Sequence, residues 1–307
     1  MVSKTYALIL AAGYGTRMGP IGELIPKVLW PIFEKKILDL QVAFVRQFGI
    51  DEIFVNTHFL AEKVYAHSQS LSLKTLNESE ILGTGGAIHN MAKHVNYQGR
   101  LLVLNGDQFL FFNHEFYDQL MQSLQQYDIC LSTINVPKGD GYSGLKLERG
   151  HLKSIEADRY FQSNEFPTYS GVCSINLSKL KRVEGFSHFF KSVADPQEKS
   201  VKCLYGHDFE YWDFGTKARY YQSIFTLLAK PESSFYQFLK SYGAIDESKM
   251  NRQILSYHSQ HPNQINLTGA LIGDRSPNKI ILGDQGKIVS NPRHGIRYNE
   301  LVCYIEN

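Results

Sequence analysis

Two basic side chains follow a pair of glycines close to the start of the chain. The apolar run 6–12 predicts a buried strand, and the segment after it contains Gly13, Gly15, Arg17 and Lys27. Because glycine has no Cβ, main-chain N–H groups there can turn toward an anion, and the two cations add fixed positive charge. An ordinary strand-to-loop turn would use the same glycines, but the cations favour a loop that binds a di- or triphosphate.

Two common glycine motifs do not fit this loop. A dinucleotide-binding fingerprint requires a third glycine where the chain has Met18, and an acidic residue after the second strand where it has Asn56, Thr57 and His58. The Gly-Lys-Ser/Thr ending of a P-loop is also missing. The sequence therefore predicts neither NAD binding nor P-loop hydrolysis of ATP.

Two aspartates occupy similar places at the ends of predicted strands. Asp107 follows the strand 101–104, and Asp213 follows the strand 210–212. Ligands of open α/β sheets gather at the carboxyl ends of strands, so both carboxylates are expected at one crevice. Together they predict a Mg²⁺ site shared with substrate phosphates, although Asp107 taken alone could be a turn or helix-capping residue.

The elements that must position these residues alternate between strand and helix. This alternation predicts an α/β fold with a parallel sheet and crossover helices. Over 128–176 the pattern changes to short strands, which indicates a β-rich substrate subdomain, and a further strand pair lies between two later helices. The predicted strands are 53–56, 71–76, 129–136, 144–147, 152–155 and 169–175, and the predicted helices are 37–48, 59–67, 86–93, 186–193 and 218–228.

The character of the chain changes again after residue 230. Residues 233–258 are predicted to be mainly helical, and residues 267–305 to form several short strands between turns. We therefore divide the chain into a main domain, 1–230, and a small C-terminal α+β appendage, 231–307. We expect a packing role for the appendage, or a role in homo-oligomerisation.

The overall composition excludes several classes of partner. The 307 residues carry a formal net charge of only +2, so no global field attracts nucleic acid or a membrane surface. No apolar run is long enough to span a bilayer, and the start has no signal-peptide pattern, so we expect a cytoplasmic protein. The cysteines have no metal-ligand spacing and are predicted to be reduced core residues: Cys130, Cys173, Cys203 and Cys303.

Four separated motifs, in this order, resemble those of the sugar-1-phosphate nucleotidyltransferases over about residues 4–230. The mannose-1-phosphate guanylyltransferases and related uridylyltransferases are the members that the chain resembles. The family's glycine loop is matched by residues 10–18 with Pro26 and Lys27, and its nucleoside segment by Glu78 and residues 82–86. Its metal motif is matched by residues 105–107. Its late Trp-x-Asp-x-Gly-Thr element resembles residues 212–216, although here Trp212 directly adjoins Asp213.

The resemblance implies a Rossmann-like mixed, mainly parallel sheet with helices on both faces. It also implies a Mg²⁺-dependent reaction in which a sugar 1-phosphate attacks the α-phosphorus of an NTP and displaces pyrophosphate. Arg17 would then serve the leaving pyrophosphate, Lys27 the joining phosphates, and Asp107 with Asp213 the metal. Nucleotide contacts are expected from Ala11, Ala12, Gly13, Gly15, Thr16, Glu78, Gly83, Thr84 and Gly85, and substrate contacts from Asn105, Glu156, Tyr169 and Gly171.

The identities of the acceptor and of the base stay open at this point. The family's Glu-Lys-Pro motif is represented only by Glu156, Ala157 and Asp158, without the lysine. A non-sugar acceptor such as phosphocholine is therefore an alternative, and a non-catalytic regulatory protein that binds nucleotide sugars is another. Glu78 and Glu80 can only accept hydrogen bonds when ionised, which favours guanine, with UTP as the other NTP considered.

Overall fold

A computed structural model of the chain describes residues 4–206 and 208–245, together with four short strands beyond them. The strands are β1 (Thr5–Leu10), β2 (Pro31–Ile32), β3 (Lys35–Lys36), β4 (Ile53–Thr57), β5 (Lys74–Asn77), β6 (Arg100–Asn105), β7 (Gln108–Phe111), β8 (Ile129–Pro137), β9 (Ser143–Glu148), β10 (His151–Ala157), β11 (Glu165–Asn176), β12 (Val201–Tyr205), β13 (Glu210–Asp213), β14 (Ile265–Asn266), β15 (Lys279–Ile281), β16 (Gly295–Tyr298) and β17 (Leu301–Tyr304). The helices are α1 (Ile37–Arg46), α2 (Ala61–Ser70), α3 (Gly83–His94), α4 (His114–Ser123), α5 (Phe189–Ser192), α6 (Lys217–Ala229) and α7 (Ser234–Ser241).

Nine strands form one mixed sheet in the order β5-β4-β1-β6-β11-β8-β12-β10-β9. The strands β5, β4, β1 and β6 are parallel, as are β8 and β12, and the other neighbours are antiparallel. This large sheet confirms the α/β, Rossmann-like prediction. The strands between 128 and 176 join the same sheet, so whether they form a separate subdomain stays a prediction.

Helices cover both faces of the sheet because its inner strands are apolar on both sides. In β1, Ala7 and Ile9 point into one core, while Tyr6 and Leu8 point into the other. The first core packs against α1, α4, α6 and α7, and the second against α3 and α5. Such double burial fixes the register of β1 and hence the position of the loop that follows it.

A small second sheet brings the two predicted metal aspartates together. It consists of β7 and β13 in antiparallel pairing, with Asp213 opposite Gln108. Neither β7 nor α4 is predicted from the sequence. The strand before β13 was predicted to pair with it, but that strand, β12, pairs with β8 in the large sheet.

Some predicted boundaries are shifted by local backbone geometry. Helix α2 begins only at Ala61, because Leu60 before it adopts a left-handed φ of 50°. Strand β5 begins at Lys74 rather than 71, because Ser72 has a φ of 57° that extended chain does not adopt. The short helix α5 covers only part of the predicted 186–193 helix.

The end of the chain is described only in part. Helix α7 begins the segment predicted to be helical over 233–258, but residues 246–258 lie outside the described residues. Strands β15, β16 and β17 lie within the range 267–305, where short strands were predicted, and the side chain of Ile296 is buried in the first core. Across the described residues, we find no helix with the length and apolar character required to span a bilayer.

Candidate active site

The glycine loop leaves the sheet between two asparagines. Leu10, the last residue of β1, is in register with Asn56 of β4 on one side and Asn105 of β6 on the other. Gly15 adopts a left-handed φ of 68° and starts a 3₁₀ segment, Thr16–Glu23. The loop therefore opens at the carboxyl edge of the sheet, where ligands of α/β folds bind.

Lys27 and Arg17 both approach the carboxylate of Asp107. Lys27 Nζ donates hydrogen bonds to Asp107 Oδ2 at 2.9 Å and to the main-chain oxygen of Gly215 at 2.9 Å, and its side chain is 12% exposed. Arg17 Nη2 lies 3.4 Å from the same Oδ2, but its side chain is 62% exposed. One cation is thus held in place, while the other reaches the site from solvent.

Asp213 is held by a second set of donors. Its Oδ1 accepts the N–H of Gly215 at 2.6 Å, and its Oδ2 accepts Arg219 Nη1 at 2.7 Å and the hydroxyl of Tyr142. The main-chain N–H of Phe214 donates to the carbonyl of Asp107 at 2.9 Å, which ties the two strand ends together. A Cβ added to Gly215 would lie 2.8 Å from Asp213 Oδ1 and 3.1 Å from Asp107 Oδ2. Both carboxylates therefore border one small space.

Two adjoining hollows extend from this charged centre along the edge of the sheet. The first contains Lys27 and Asp107 and the second contains Glu78, and they share Leu10, Gly13 and Thr84. The predicted residues that line the first are Ala11, Gly13, Gly15, Lys27, Thr84, Asn105 and Asp107, and those that line the second are Ala12, Gly13, Glu78, Gly83 and Thr84.

Glu78 is buried at the far end and is held by its neighbours. Its Oε1 accepts from Asn56 Nδ2 at 2.7 Å and its Oε2 from the N–H of Leu82 at 3.0 Å. Asn56 Oδ1 in turn accepts the N–H of Ala11 at 2.7 Å. A continuous series of hydrogen bonds therefore joins the glycine loop to Glu78. From the sequence, Asn56 served only to exclude a dinucleotide-binding fold, and its place in this series was not predicted.

The matched family describes the part of the chain that builds both hollows. The MobA-like NTP transferase domain matches residues 7–159. A D-glycero-alpha-D-manno-heptose 1-phosphate guanylyltransferase of Campylobacter jejuni is 32% identical over 160 residues, covering 51% of this chain and 69% of that relative. The chain belongs to the MobA-like NTP transferase family. The predicted resemblance to sugar-1-phosphate nucleotidyltransferases is thereby confirmed.

Other relatives of this chain are longer or more distant. The bifunctional protein GlmU of Marinobacter nauticus is 27% identical over 185 residues, which cover 59% of this chain but only 40% of that protein. The chain thus spans less than half the length of such relatives. A crystal structure of HddC from Yersinia pseudotuberculosis complexed with GMP-PN has a TM-score of 0.61 at 22% identity, covering 71% of this chain and 97% of that one. This likeness concerns the fold.

The carboxylates of Asp107 and Asp213 fit a magnesium ion in their chemistry. Asp107 and Asp213 offer hard oxygen donors to one space, and Mg²⁺ is commonly held by one or two carboxylates with substrate phosphates completing its shell. Among the described residues, no group of three or more His, Cys, Asp or Glu side chains is placed to hold a metal. The donor set therefore suits a cation shared with substrate rather than a fully protein-bound one.

Burial and charge shift the pKa values of two groups that contact Asp213. The pKa of Tyr142 is raised by burial and by its hydrogen bond to Asp213, so the hydroxyl keeps its proton and donates. Burial alone would lower the pKa of Arg219, but the neighbouring Asp213 carboxylate raises it above its ordinary value. The Arg219 guanidinium also lies 4.6 Å from the centre of the Tyr142 ring. The sequence analysis missed both residues.

The predicted substrate residues separate into two groups. Gly171 has a φ of 87°, and a Cβ there would lie 2.7 Å from Asn105 Nδ2, so Gly171 packs against a residue that lines the first hollow. Gln108 joins them, since its Oε1 accepts from Asn105 Nδ2 at 2.8 Å. Tyr169 instead stacks on Phe189, with ring centres 5.2 Å apart.

The remaining predicted residues lie away from the lining of both hollows. Glu156 accepts from Ser154 Oγ at 2.9 Å and has Lys146 Nζ at 3.6 Å. Thr16 is exposed at the start of the 3₁₀ segment. The N–H of Gly85 donates to the carbonyl of Ser187 at 3.0 Å and thus packs a neighbouring segment.

Proposed function

We propose that the protein transfers a nucleotidyl group from an NTP to a sugar 1-phosphate and releases pyrophosphate. The observation that carries the proposal is the meeting of Lys27, Arg17 and Asp107 at one end of a cleft whose other end contains the buried Glu78. A site with cations at one end and a fixed hydrogen-bond acceptor at the other suits a molecule with phosphates at one end and a base at the other.

The proposed reaction is an in-line displacement. An oxygen of the sugar phosphate forms a bond to the α-phosphorus, the bond from that phosphorus to the bridging oxygen breaks, and its electron pair leaves with pyrophosphate. No side-chain base is required, because the attacking phosphate is already ionised. The chain contributes position and opposite charge, which is how enzymes accelerate most phosphoryl-type transfers.

Lys27 and Arg17 have separate roles in this scheme. Lys27 is nearly buried between Asp107 and Gly215, so its ammonium has a fixed position where the acceptor phosphate and the α-phosphate would meet. Arg17 is exposed and able to follow a group that moves, which suits the departing pyrophosphate. Glycine-loop N–H groups would share the charge of the triphosphate.

Magnesium is the proposed cofactor, with Asp107 and Asp213 as its protein ligands. When bound, Mg²⁺ would shield the negative charge of the phosphates. In the described state, Lys27 and Arg17 neutralise Asp107 while Arg219 neutralises Asp213. Metal binding would therefore compete with these ion pairs. New hydrogen bonds from Lys27 to substrate phosphates would compensate for the loss of the ion pair with Asp107.

GTP is the NTP we favour, with UTP second. The Glu78 carboxylate faces the second hollow, and each of its oxygens retains acceptor capacity beyond the single bond from Asn56 or Leu82. Guanine offers N–H donors on its edge. Relatives named as heptose 1-phosphate and mannose-1-phosphate guanyltransferases support this choice.

A direct assay tests the reaction. The protein would be incubated with Mg²⁺, each NTP in turn, and a panel of sugar 1-phosphates and phosphocholine, while pyrophosphate release is measured. We expect release with a sugar 1-phosphate and loss of that release in Asp107→Asn. Activity with phosphocholine alone would replace the sugar acceptor, and no release with any pair would favour a regulatory binding protein.

A further inference from the structure

The segment 185–188 is fastened to the start of helix α3 by main-chain hydrogen bonds. The N–H of Ser187 donates to the carbonyl of Leu82 at 2.9 Å. The N–H groups of Gly85 and Gly86 donate to the carbonyl of Ser187 at 3.0 and 3.3 Å. Donors at the first turn of α3 are thus satisfied by this segment, which therefore has a fixed place beside the second hollow.

The glycines at the start of α3 are needed for this close approach. A Cβ on Gly83 would lie 2.8 Å from the carbonyl oxygen of Ser187, and one on Gly86 would lie 2.4 Å from that of Gly185. At Gly85 it would meet the hydroxyl of Ser192 at 2.4 Å. The glycine-rich motif 83–86 therefore allows this protein segment to approach the start of α3 closely.

Phe186 is the large side chain of this segment that contacts Gly83, a residue of the second hollow. A Cβ added to Gly83 would lie 2.9 Å from Phe186 Cε2, so the ring covers Gly83, which itself lines the hollow beside Glu78. The ring is nevertheless 59% exposed, with an edge contact to His188 at 4.9 Å. A single exposed aromatic is common, but this one contacts Gly83, which lines the same hollow as the buried Glu78.

We propose that Phe186 is a stacking residue for the nucleobase of the NTP. This inference rests on the proposed function, since it assigns the base to the Glu78 end of the cleft. The cations Lys27 and Arg17 lie at the opposite end, where they would bind the phosphates. A base that presents its polar edge to Glu78 leaves its apolar face to be covered, and an aromatic ring covers such a face regardless of base identity.

Binding measurements on four chains test this role. Wild type, Phe186→Ala, Phe186→Tyr and Phe186→Leu would be titrated by calorimetry with Mg²⁺ and the α,β-methylene analogues of GTP and UTP, which cannot transfer. The matched control is Tyr65→Ala, because Tyr65 is 53% exposed on α2, which lines neither hollow. Inorganic tripolyphosphate is the ligand control, since it has the phosphates without the base.

We expect Phe186→Ala to weaken binding of at least one analogue roughly 5- to 50-fold, as removal of a base-stacking ring does. Phe186→Tyr should bind within about twofold of wild type, Phe186→Leu should stay weakened, and tripolyphosphate binding should not change. Unchanged analogue affinity in Phe186→Ala, wild-type affinity in Phe186→Leu, or an equal loss for tripolyphosphate would overturn the proposal.

The pyrophosphate-release assay separates this inference from the proposed function. If wild type turns over and Phe186→Ala binds both analogues normally, only the stacking role fails. If wild type neither turns over nor binds an analogue, the proposed function fails and the inference fails with it. Unfolding of Phe186→Ala is not expected to interfere, because the segment is held through main-chain atoms of Ser187.

Discussion

Arg17 and Lys27 share the partner Asp107 but differ in exposure, because the side chain of Arg17 is 62% exposed and that of Lys27 only 12%. We predict that Arg17→Ala lowers kcat by roughly 100-fold with little change in KM, because it removes a donor that matters as charge develops on the leaving group. Lys27→Ala should lower kcat and also raise KM for the acceptor, since its ammonium is held between Asp107 and Gly215 where both phosphates meet.

Steady-state kinetics with both substrates varied would distinguish these roles. Lys93→Ala provides a control for the loss of a surface cation, because Lys93 is 71% exposed and its partner is the exposed Glu184. Equal changes in kcat and KM from Arg17→Ala and Lys27→Ala would contradict the division of labour.

Asn56 is predicted to position the base end of the site without being a catalytic residue. Asn56→Ala removes the acceptor for the Ala11 N–H and the donor to Glu78, both buried, so we expect the free energy of unfolding to fall by about 1–3 kcal/mol. The Kd for NTP should rise by roughly tenfold, because Glu78 loses its orientation.

Asn56→Asp sharpens the test of this residue. It keeps an acceptor for Ala11 but places a second carboxylate beside Glu78, so we expect weaker NTP binding than in Asn56→Ala, with the loss easing at low pH. Calorimetry and chemical denaturation measure both quantities. Wild-type NTP affinity in both variants would show that the hydrogen bonds between the loop and Glu78 have no part in binding.

Gly86 in helix α3 and Gly13 in the loop after β1 differ in the space available for an added Cβ. Alanine normally stabilises a helix by about 1 kcal/mol relative to glycine, yet we predict that Gly86→Ala destabilises the protein by about 1–3 kcal/mol. The reason is that its Cβ would lie 2.4 Å from the main-chain oxygen of Gly185, which cannot move aside as a flexible side chain would.

Gly13→Ala serves as the control for that prediction. Among the described residues, and apart from its two chain neighbours, no atom lies within 4 Å of the position its Cβ would take, so stability should change by less than about 0.5 kcal/mol. Affinity for NTP should nevertheless fall, because the loop's approach to the phosphates would be obstructed. Thermal denaturation and nucleotide titration of the two variants measure this contrast, and a destabilised Gly13→Ala or a stabilised Gly86→Ala would disprove it.

Elements with regular apolar patterns could be predicted from the sequence, and those defined by distant contacts could not. Strand β1, buried on both faces, and Asp107 just after the end of β6 could be predicted, because a short apolar run followed by glycine and polar residues is typical of a buried strand that ends in a loop. Helix α4 was missed although Asn113 caps it by accepting the N–H of Phe116. The Tyr142 bond to Asp213 joins residues 71 positions apart, so no local pattern reveals it.

At the scale of the whole molecule, α7 packs into the first core of the large sheet. Phe235, Phe238 and Leu239 are buried in the same core as α1 and β7, and Phe235 packs on Phe109 with ring centres 4.5 Å apart. The N–H of Glu34 donates to the carbonyl of Ala244, beyond the helix. A domain boundary at residue 230 therefore remains a prediction, and a boundary after residue 245 has a stronger physical basis.

Truncated chains test where the main body ends. Burying each large apolar side chain contributes about 1.5–3 kcal/mol, so the three from α7 amount to a large share of the 5–15 kcal/mol that stabilises a typical protein. We predict that a chain of residues 1–230 aggregates, or unfolds at a much lower temperature than the full chain. Residues 1–245 should stay folded, because they keep the packing of α7 against this core.

Circular dichroism, thermal denaturation and light scattering of the three chains would measure stability and mass together. If the tail mediates homo-oligomerisation, the full chain should have a larger mass per particle than residues 1–245, while both keep a cooperative transition. A stable, monodisperse 1–230 chain would instead place the boundary where the composition changes. In that case the aromatic contacts between α7 and β7 would have to be a dispensable interface rather than part of the core.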